Sequence, residues 1–265
     1  MRAVTAALTG VLAVLVFVSP VTANPNHPAG YLKPRDIDVM AVLPPAPVTG
    51  DPRYEADRAI FLKTRHFVGT PRWNMAVNDV QWGTDFMLRD FSCAVGVELT
   101  PANARKLAAL VNRVGIDTQR QTNLAKDRYQ RLRPFLIDDG EICQPKEDLA
   151  HSYDYPSGHT TGGWTWAMVL ADAVPARATA ILARGRAYGE SRIVCGAHNA
   201  SAVEAGRLSA TVTFSAVRNK ATYARDLKAA RAEIRALFKS RKARKPPACD
   251  AEAALVSQNI FAPAN

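Results

Sequence analysis

An all-α domain is what this sequence predicts, and three observations carry the prediction. Apolar residues recur at three- and four-residue spacing through seven separate stretches, the mark of helices with one buried face. No stretch alternates apolar and polar residues convincingly with period two, as a half-buried strand would. The chain is 48% hydrophobic over 265 residues, enough for one sizeable core, and one domain is expected.

The elements follow in chain order. Arg2 is the only charge ahead of an apolar run from Ala3 to Val18, and Val21-Thr22-Ala23 closes it with small residues, so residues 1–23 read as a secretory signal peptide. A membrane anchor is the alternative, but the run is short for a span and no basic stop-transfer cluster follows it. No other stretch could cross a bilayer. Residues 24–52 are rich in proline, ending in LPPAPVTGDP, and read as an extended arm lying on the domain. Residues 53–265 form the helical domain. Its periodic segments are Glu55–His66, Asn74–Arg89, Pro101–Val114, Leu124–Leu132, His159–Ala173, Arg177–Val194 and Ser201–Val217. Pro101 marks a helix start and Pro175 a gap between helices. From Arg218 to Lys245 an amphipathic, densely basic helix and tail would turn Leu227, Ile234, Leu237 and Phe238 toward the core.

The formal net charge of +10 and pI near 9.7 point to anionic partners. Much of the excess sits on the C-terminal helix, where a solvated face explains it. No interleaved aromatic residues offer a stacking platform, so nucleic acid is not the expected partner. Cys93, Cys143, Cys195 and Cys249 are an even number in an exported chain, with no CxxC pair and no histidine at metal-ligand spacing, which favours two disulfides over a zinc site. Three connectivities are open; Cys93 with Cys143 and Cys195 with Cys249 is the expectation.

Three stretches have the residue types for chemistry. In KDRYQRLRP, Lys126 and Arg133 are seven apart, near two helical turns, so both cations would project from one face, with Pro134 turning Arg133 out at a helix end. In YPSGHT, Ser157 is a natural N-cap, Gly158 allows close backbone approach, and the N–H groups of the following helix start form an anion site beside His159. In SRIVCGAHNASA, Arg192 lies about two turns before His198 if the segment is helical. Each stretch alone has an ordinary structural explanation. Together they supply three cations, a hydroxyl, backbone donors and two imidazoles, which is the equipment of phosphoryl transfer.

The succession of lysine, six residues, Arg-Pro, then Pro-Ser-Gly-His, then Ser-Arg, five residues, His resembles the signature of the phosphatidic acid phosphatase type 2 superfamily, shared with vanadium haloperoxidases. Within it the chain is similar to the class A bacterial non-specific acid phosphatases, through YLKP, LPPAP, GTPRW, FSCAVG and GESRIVCGAH as well. The resemblance implies a helical bundle of the acid phosphatase and haloperoxidase type, phosphomonoester substrates and inorganic phosphate as product. It implies no metal and no cofactor, no stable membrane insertion, a periplasmic location, and a homodimer as a family expectation. It also implies roles. Lys126, Arg133 and Arg192 would clamp the phosphoryl oxygens with Ser157 and the N–H of Gly158; His198 would attack phosphorus and carry it as a phosphohistidine; His159 would protonate the leaving oxygen and then activate water. A protonated His159 would set an acidic optimum.

One position departs from the signature. Four residues after the nucleophilic histidine the family places an aspartate that fixes the ring's tautomer; this chain has Ala202. Glu204 is rotated about 200° round a helix from that position. A backbone carbonyl, Glu190, Asn199 or water remain as substitutes. Two further readings follow: a phosphate-binding protein with little turnover, and a haloperoxidase with vanadate on His198.

Overall fold

The computed structural model describes residues 29–240 and 243–262. The signal-peptide reading and the first residues of the arm therefore lie outside the described residues. Among those described there are nine α-helices and no strand: α1 Pro52–Thr64, α2 Pro71–Asn78, α3 Thr84–Val95, α4 Arg105–Tyr129, α5 Gly158–Ala173, α6 Ala178–Val194, α7 Ala200–Arg218, α8 Ala221–Lys239 and α9 Cys249–Ser257. None of these helices is long and apolar enough to cross a membrane.

Helix α5 is the axis of the bundle. It packs on α4, α6 and α7, while α8 closes over α4, α1 lies against α6 and α7, and α2 and α3 lie against α6. Small residues let these helices approach: a Cβ on Gly185 would stand 2.4 Å from the Cβ of Ala167, and one on Gly206 would stand 2.7 Å from the carbonyl of Ser157. The second contact seats the start of α7 against the start of α5, where two of the three motifs meet. The main core, including Phe91, Leu107, Leu110, Leu170, Ile181, Tyr188 and Ile234, fills the space between α3, α4, α5, α6 and α8. Each such side chain stabilises the fold by roughly 1.5–3 kcal/mol.

Several expected boundaries move, for physical reasons. The segments Pro101–Val114 and Leu124–Leu132 are parts of one 25-residue helix, α4, which begins at Arg105 rather than at Pro101. Its middle turn hid the periodicity because its buried side chains are polar: Asp117, Thr118, Gln121 and Thr122 are all buried. They have partners there. Asp117 accepts the backbone N–H groups of Tyr31 and Leu32 at 2.6 and 3.2 Å, and Gln121 donates to the carbonyl of Ile37 at 3.2 Å, so the arm docks on this polar face. The segment Asn74–Arg89 is instead two helices, broken at Gly83, whose φ of 126° is left-handed. Leu227 and Ile234 are buried in α8 as expected, but Phe238 is 43% exposed. The cysteine pairing also differs: Cys93 bonds Cys249 and Cys143 bonds Cys195. The first ties α9 to α3; the second ties the loop at 143 to the end of α6.

Candidate active site

The three motifs converge in a pocket of about 230 Å³ whose lining includes Lys126, Arg133, Gly158, His159 and His198. They do not reach it by the route the spacing suggests. Helix α4 ends at Tyr129, with Gln130 left-handed, so Lys126 stands on the helix while Arg133 sits beyond it in extended backbone (φ −77°, ψ 155°). Arg133 is fixed by its Nε–H on the carbonyl of Ser152 at 2.7 Å and by Nη1 on the carbonyl of Ala197 at 2.8 Å. The ammonium of Lys126 donates to the carbonyl of Tyr153. Likewise Arg192 and His198 are not two turns of one helix. Helix α6 stops at Val194, Gly196 turns left-handed at φ 77°, and the N–H groups of Ala197 and His198 fold back onto the carbonyl of Arg192 at 3.1 and 3.2 Å.

Ser157 caps α5, its hydroxyl accepting the N–H of Thr160 at 3.3 Å. The first N–H groups of a helix have no intrahelical partner, so the Gly158 end of α5 presents donors and the positive end of its dipole to the pocket. The Nε–H of His159 donates to the carbonyl of Val80 at 3.0 Å, which leaves Nδ1 for a ligand. Trp82, 47% exposed, leans over that ring at 5.2 Å and forms one wall; Gln119 and Asn123 of α4 line the pocket as well.

Arg192 is fully buried, yet only Nη2 has a partner, the Gln144 side-chain oxygen at 2.5 Å; its Nε and Nη1 have none. Buried donors without partners are rare in folded proteins, and here they suit an anion. For His198, Arg133 Nη1 lies 3.0 Å from Nε2, and a guanidinium can only donate, so Nε2 is the unprotonated nitrogen. The proton is then on Nδ1, which donates to Asp154 Oδ1 at 2.8 Å.

Crowded cations and burial set the protonation states. Burial, then Arg133, lowers Lys126 to about 7 against the pull of Asp154. Burial lowers Arg192 to about 10. Burial, followed by Arg133, Lys126 and Arg192, holds His198 well below the usual imidazole range. His159 is pushed down to about 3, by burial first and Arg192 second. A standing proton on His159 is therefore not what this site holds, contrary to the expectation from the sequence. Burial and the neighbouring cations thus favour the neutral form of both rings, surroundings that suit an anion.

A larger groove of about 1110 Å³ lies between α6, α8 and α9. No histidine lines it, and Arg177, Arg186 and Arg231 there already donate to the carbonyls of Ala94, Val256 and Asp172. The chemistry belongs to the smaller pocket.

Comparison with known proteins agrees with that location. The PAP2 superfamily profile matches residues 107–226, which include all three motifs. The chain is 39% identical over 199 residues to an acid phosphatase of Zymomonas mobilis, covering 74% of this chain and 75% of that one. It is 33% identical over 227 residues to the non-specific acid phosphatase of Salmonella typhimurium, covering 84% and 89%. The corresponding enzyme of Providencia stuartii is 32% identical over 235 residues, covering 87% and 94%. The chain belongs to the PAP2 superfamily.

Against the PAP2 signature, the structure brings Lys126, Arg133, Gly158, His159 and His198 together in one pocket; Arg192 and Ser157 do not line it, Arg192 being fully buried yet close enough to act electrostatically on both histidines and Ser157 being the buried cap of α5. Ala202 is buried in an apolar cluster with Val39, Leu43, Ala125 and Tyr155. None of the expected substitutes holds the His198 ring: Glu204 is exposed, Glu190 pairs with Arg186 at 2.5 Å, and the Asn199 side chain donates to Asp154 at 2.8 Å. The sequence reading missed Asp154, Gln144 and the lining residues Trp82, Gln119, Asn123 and Ser152. Asp154 stands directly before Tyr-Pro-Ser-Gly-His and was visible as the carboxylate nearest that motif; nothing in the sequence marks the others.

Proposed function

We propose that this protein is an exported acid phosphatase that hydrolyses phosphomonoesters through a phosphohistidine on His198, without a metal ion. The observation that carries the reading is the pair of unpartnered donors on buried Arg192, together with a neutral His198 whose Nε2 is the unprotonated nitrogen and so available for attack. Two disulfides support an oxidising compartment.

In the first step a phosphomonoester monoanion sits among Lys126, Arg133, Arg192 and the N–H groups at the start of α5. Arg133 shifts its Nη1 donor from His198 Nε2 to a phosphoryl oxygen, which frees the lone pair. Nε2 attacks phosphorus in line; the N–P bond forms as the P–O bond to the leaving group breaks. The imidazole becomes cationic, and its Nδ1–H remains on Asp154. His159 Nδ1 passes a proton to the leaving oxygen. Because His159 is neutral in the free site, that proton arrives with the monoanionic ester, whose second ionisation lies near 6 for phosphate esters. In the second step His159 takes a proton from water, the resulting hydroxide attacks phosphorus, and the N–P bond breaks to release inorganic phosphate. Preorganised donors on the equatorial oxygens supply the charge stabilisation, each on the order of 10²–10³ in rate.

Hydrolysis of p-nitrophenyl phosphate at about pH 6 by the purified mature protein tests the reading. Turnover that disappears in His198→Ala supports it. Equal rates in parent and variant, or none in either at saturating substrate, overturn it.

A further inference from the structure

The PAP2 carboxylate expected four residues after the nucleophile is absent, yet His198 is not without one. Asp154 is completely buried and comes from the loop leading into α5. One of its oxygens accepts His198 Nδ1–H at 2.8 Å and the Asn199 N–H at 3.2 Å; the other accepts the Asn199 side-chain amide at 2.8 Å and lies 3.6 Å from Arg131 Nη1. All four contacts are donors, so the carboxylate form is the one this pocket recognises. The loop is itself anchored: the Asp154 N–H donates to the carbonyl of Arg131 at 2.9 Å, and Arg131 donates to Asp57 at 2.8 Å and to Ser201 Oγ at 2.7 Å. That chain of contacts joins α1, the α4–α5 loop and the start of α7 around one imidazole.

We propose that Asp154 is the positioning residue for His198, supplying from the loop before α5 the orienting carboxylate that PAP2 relatives carry on α7. The exchange leaves the alanine side free to pack apolarly. Ala202 joins Val39, Leu43 and Tyr155, so the N-terminal arm covers the place where a second carboxylate would lie. Moving the acid preserves the two things the ring needs, a held Nδ1–H and a negative charge behind the cation that forms when Nε2 is phosphorylated.

Burial raises Asp154 to about 6, while Arg131, Asn199, Arg133 and Lys126 pull the other way. The sign follows directly. Above about 6 the residue is a carboxylate and holds the tautomer; below it, protonation removes the acceptor charge, so kcat/KM, which reports the free enzyme, falls as pH drops through that region. The groups facing Asp154 are His198, Asn199, Arg131, Arg133 and Lys126; of these Lys126, lowered to about 7, titrates nearby, while burial and the surrounding cations hold His198 well below that region.

This proposal rests on the phosphatase reading for its kinetic arm and not for its spectroscopic one. Asp154→Asn should lower kcat by about 10²–10⁴, the upper figure being that of a serine protease whose orienting aspartate is amidated. Inhibition by inorganic phosphate should change less than about fivefold, because the cation clamp is intact, and the acid limb of the kcat/KM profile should vanish. The double variant Asp154→Ala/Ala202→Asp should regain at least about tenfold over Asp154→Ala. Nitrogen NMR of the His198 ring in the phosphate-free protein should show the Nδ1–H tautomer in the parent and its loss in Asp154→Asn. An Asp154→Asn variant with near-parental kcat and an unchanged tautomer overturns the proposal, as does a loss of activity that tracks loss of phosphate binding and of fold. If the parent itself does not turn over, the tautomer measurement still decides the role of Asp154.

Discussion

Arg184 and Arg192 stand two turns apart on α6, both buried, and their surroundings are opposite. Arg184 is fully paired: Nη1 and Nη2 donate to the two oxygens of Asp79 at 3.1 and 2.6 Å, and Nε donates to the carbonyl of Asp90 at 3.1 Å. Burial alone would lower its pKa, and the Asp79 carboxylate more than reverses that, so it ends above the ordinary arginine range. Arg192 has no carboxylate and two unpartnered donors, and burial leaves it lowered to about 10. One helix thus carries a cation completed by the protein and another with two donors unpartnered, which the proposed function assigns to a phosphoryl group. Burial alone does not distinguish a working charge from a structural one; the state of its hydrogen-bond partners does.

The comparison can be broken at either end. The largest effect is expected at Arg184. Arg184→Ala strands Asp79 in the core and should cost about 3–5 kcal/mol of unfolding free energy by urea titration, while the fraction that remains folded keeps its specific activity. Arg192→Ala should do the reverse: kcat/KM for p-nitrophenyl phosphate falls about 10²–10³-fold, and stability is held or slightly raised because an incompletely paired buried charge is gone. A loss of stability at Arg192 equal to that at Arg184 would erase the distinction. The smallest effect sharpens it. Lys126 is charged below about 7 and neutral above, so kcat/KM should decline as pH rises past that value. Lys126→Arg keeps its charge throughout and should remove the part of the decline centred near 7, leaving the limb set by the ester's own second ionisation near 6. With the Asp154 limb near 6 and the reactive monoanionic ester lost above about 6, the parent profile should peak close to 6.

How much of this was legible depended on whether the information was local. Residue type and order named the cations and imidazoles of the pocket, because the motif carries them irrespective of geometry. Helical class and most of α5, α6 and α7 were legible from their apolar spacing. The middle of α4 was not, since Asp117 and Gln121 bury polar groups to bind the arm and so break the pattern. The nine-residue α9 offered too short a pattern, and Gly83 looked like any glycine until its φ of 126° was known. Cysteine pairing is a matter of distance in space, and the expected connectivity was wrong in both bonds. The contact between Asp154 and His198 spans 44 residues, so the sequence showed the missing acid at Ala202 and not its replacement. The same holds for the 105-residue separation of Asp79 and Arg184.

The central claim is that His198 becomes covalently phosphorylated. The most direct measurement is a millisecond quench, into base, of the enzyme mixed with phosphorus-labelled p-nitrophenyl phosphate, followed by peptide mapping. A burst of base-stable, acid-labile label approaching one per active site, located on His198 and absent from His198→Ala, is the predicted result. Steady release of phosphate with no label on His198 at any time would contradict it.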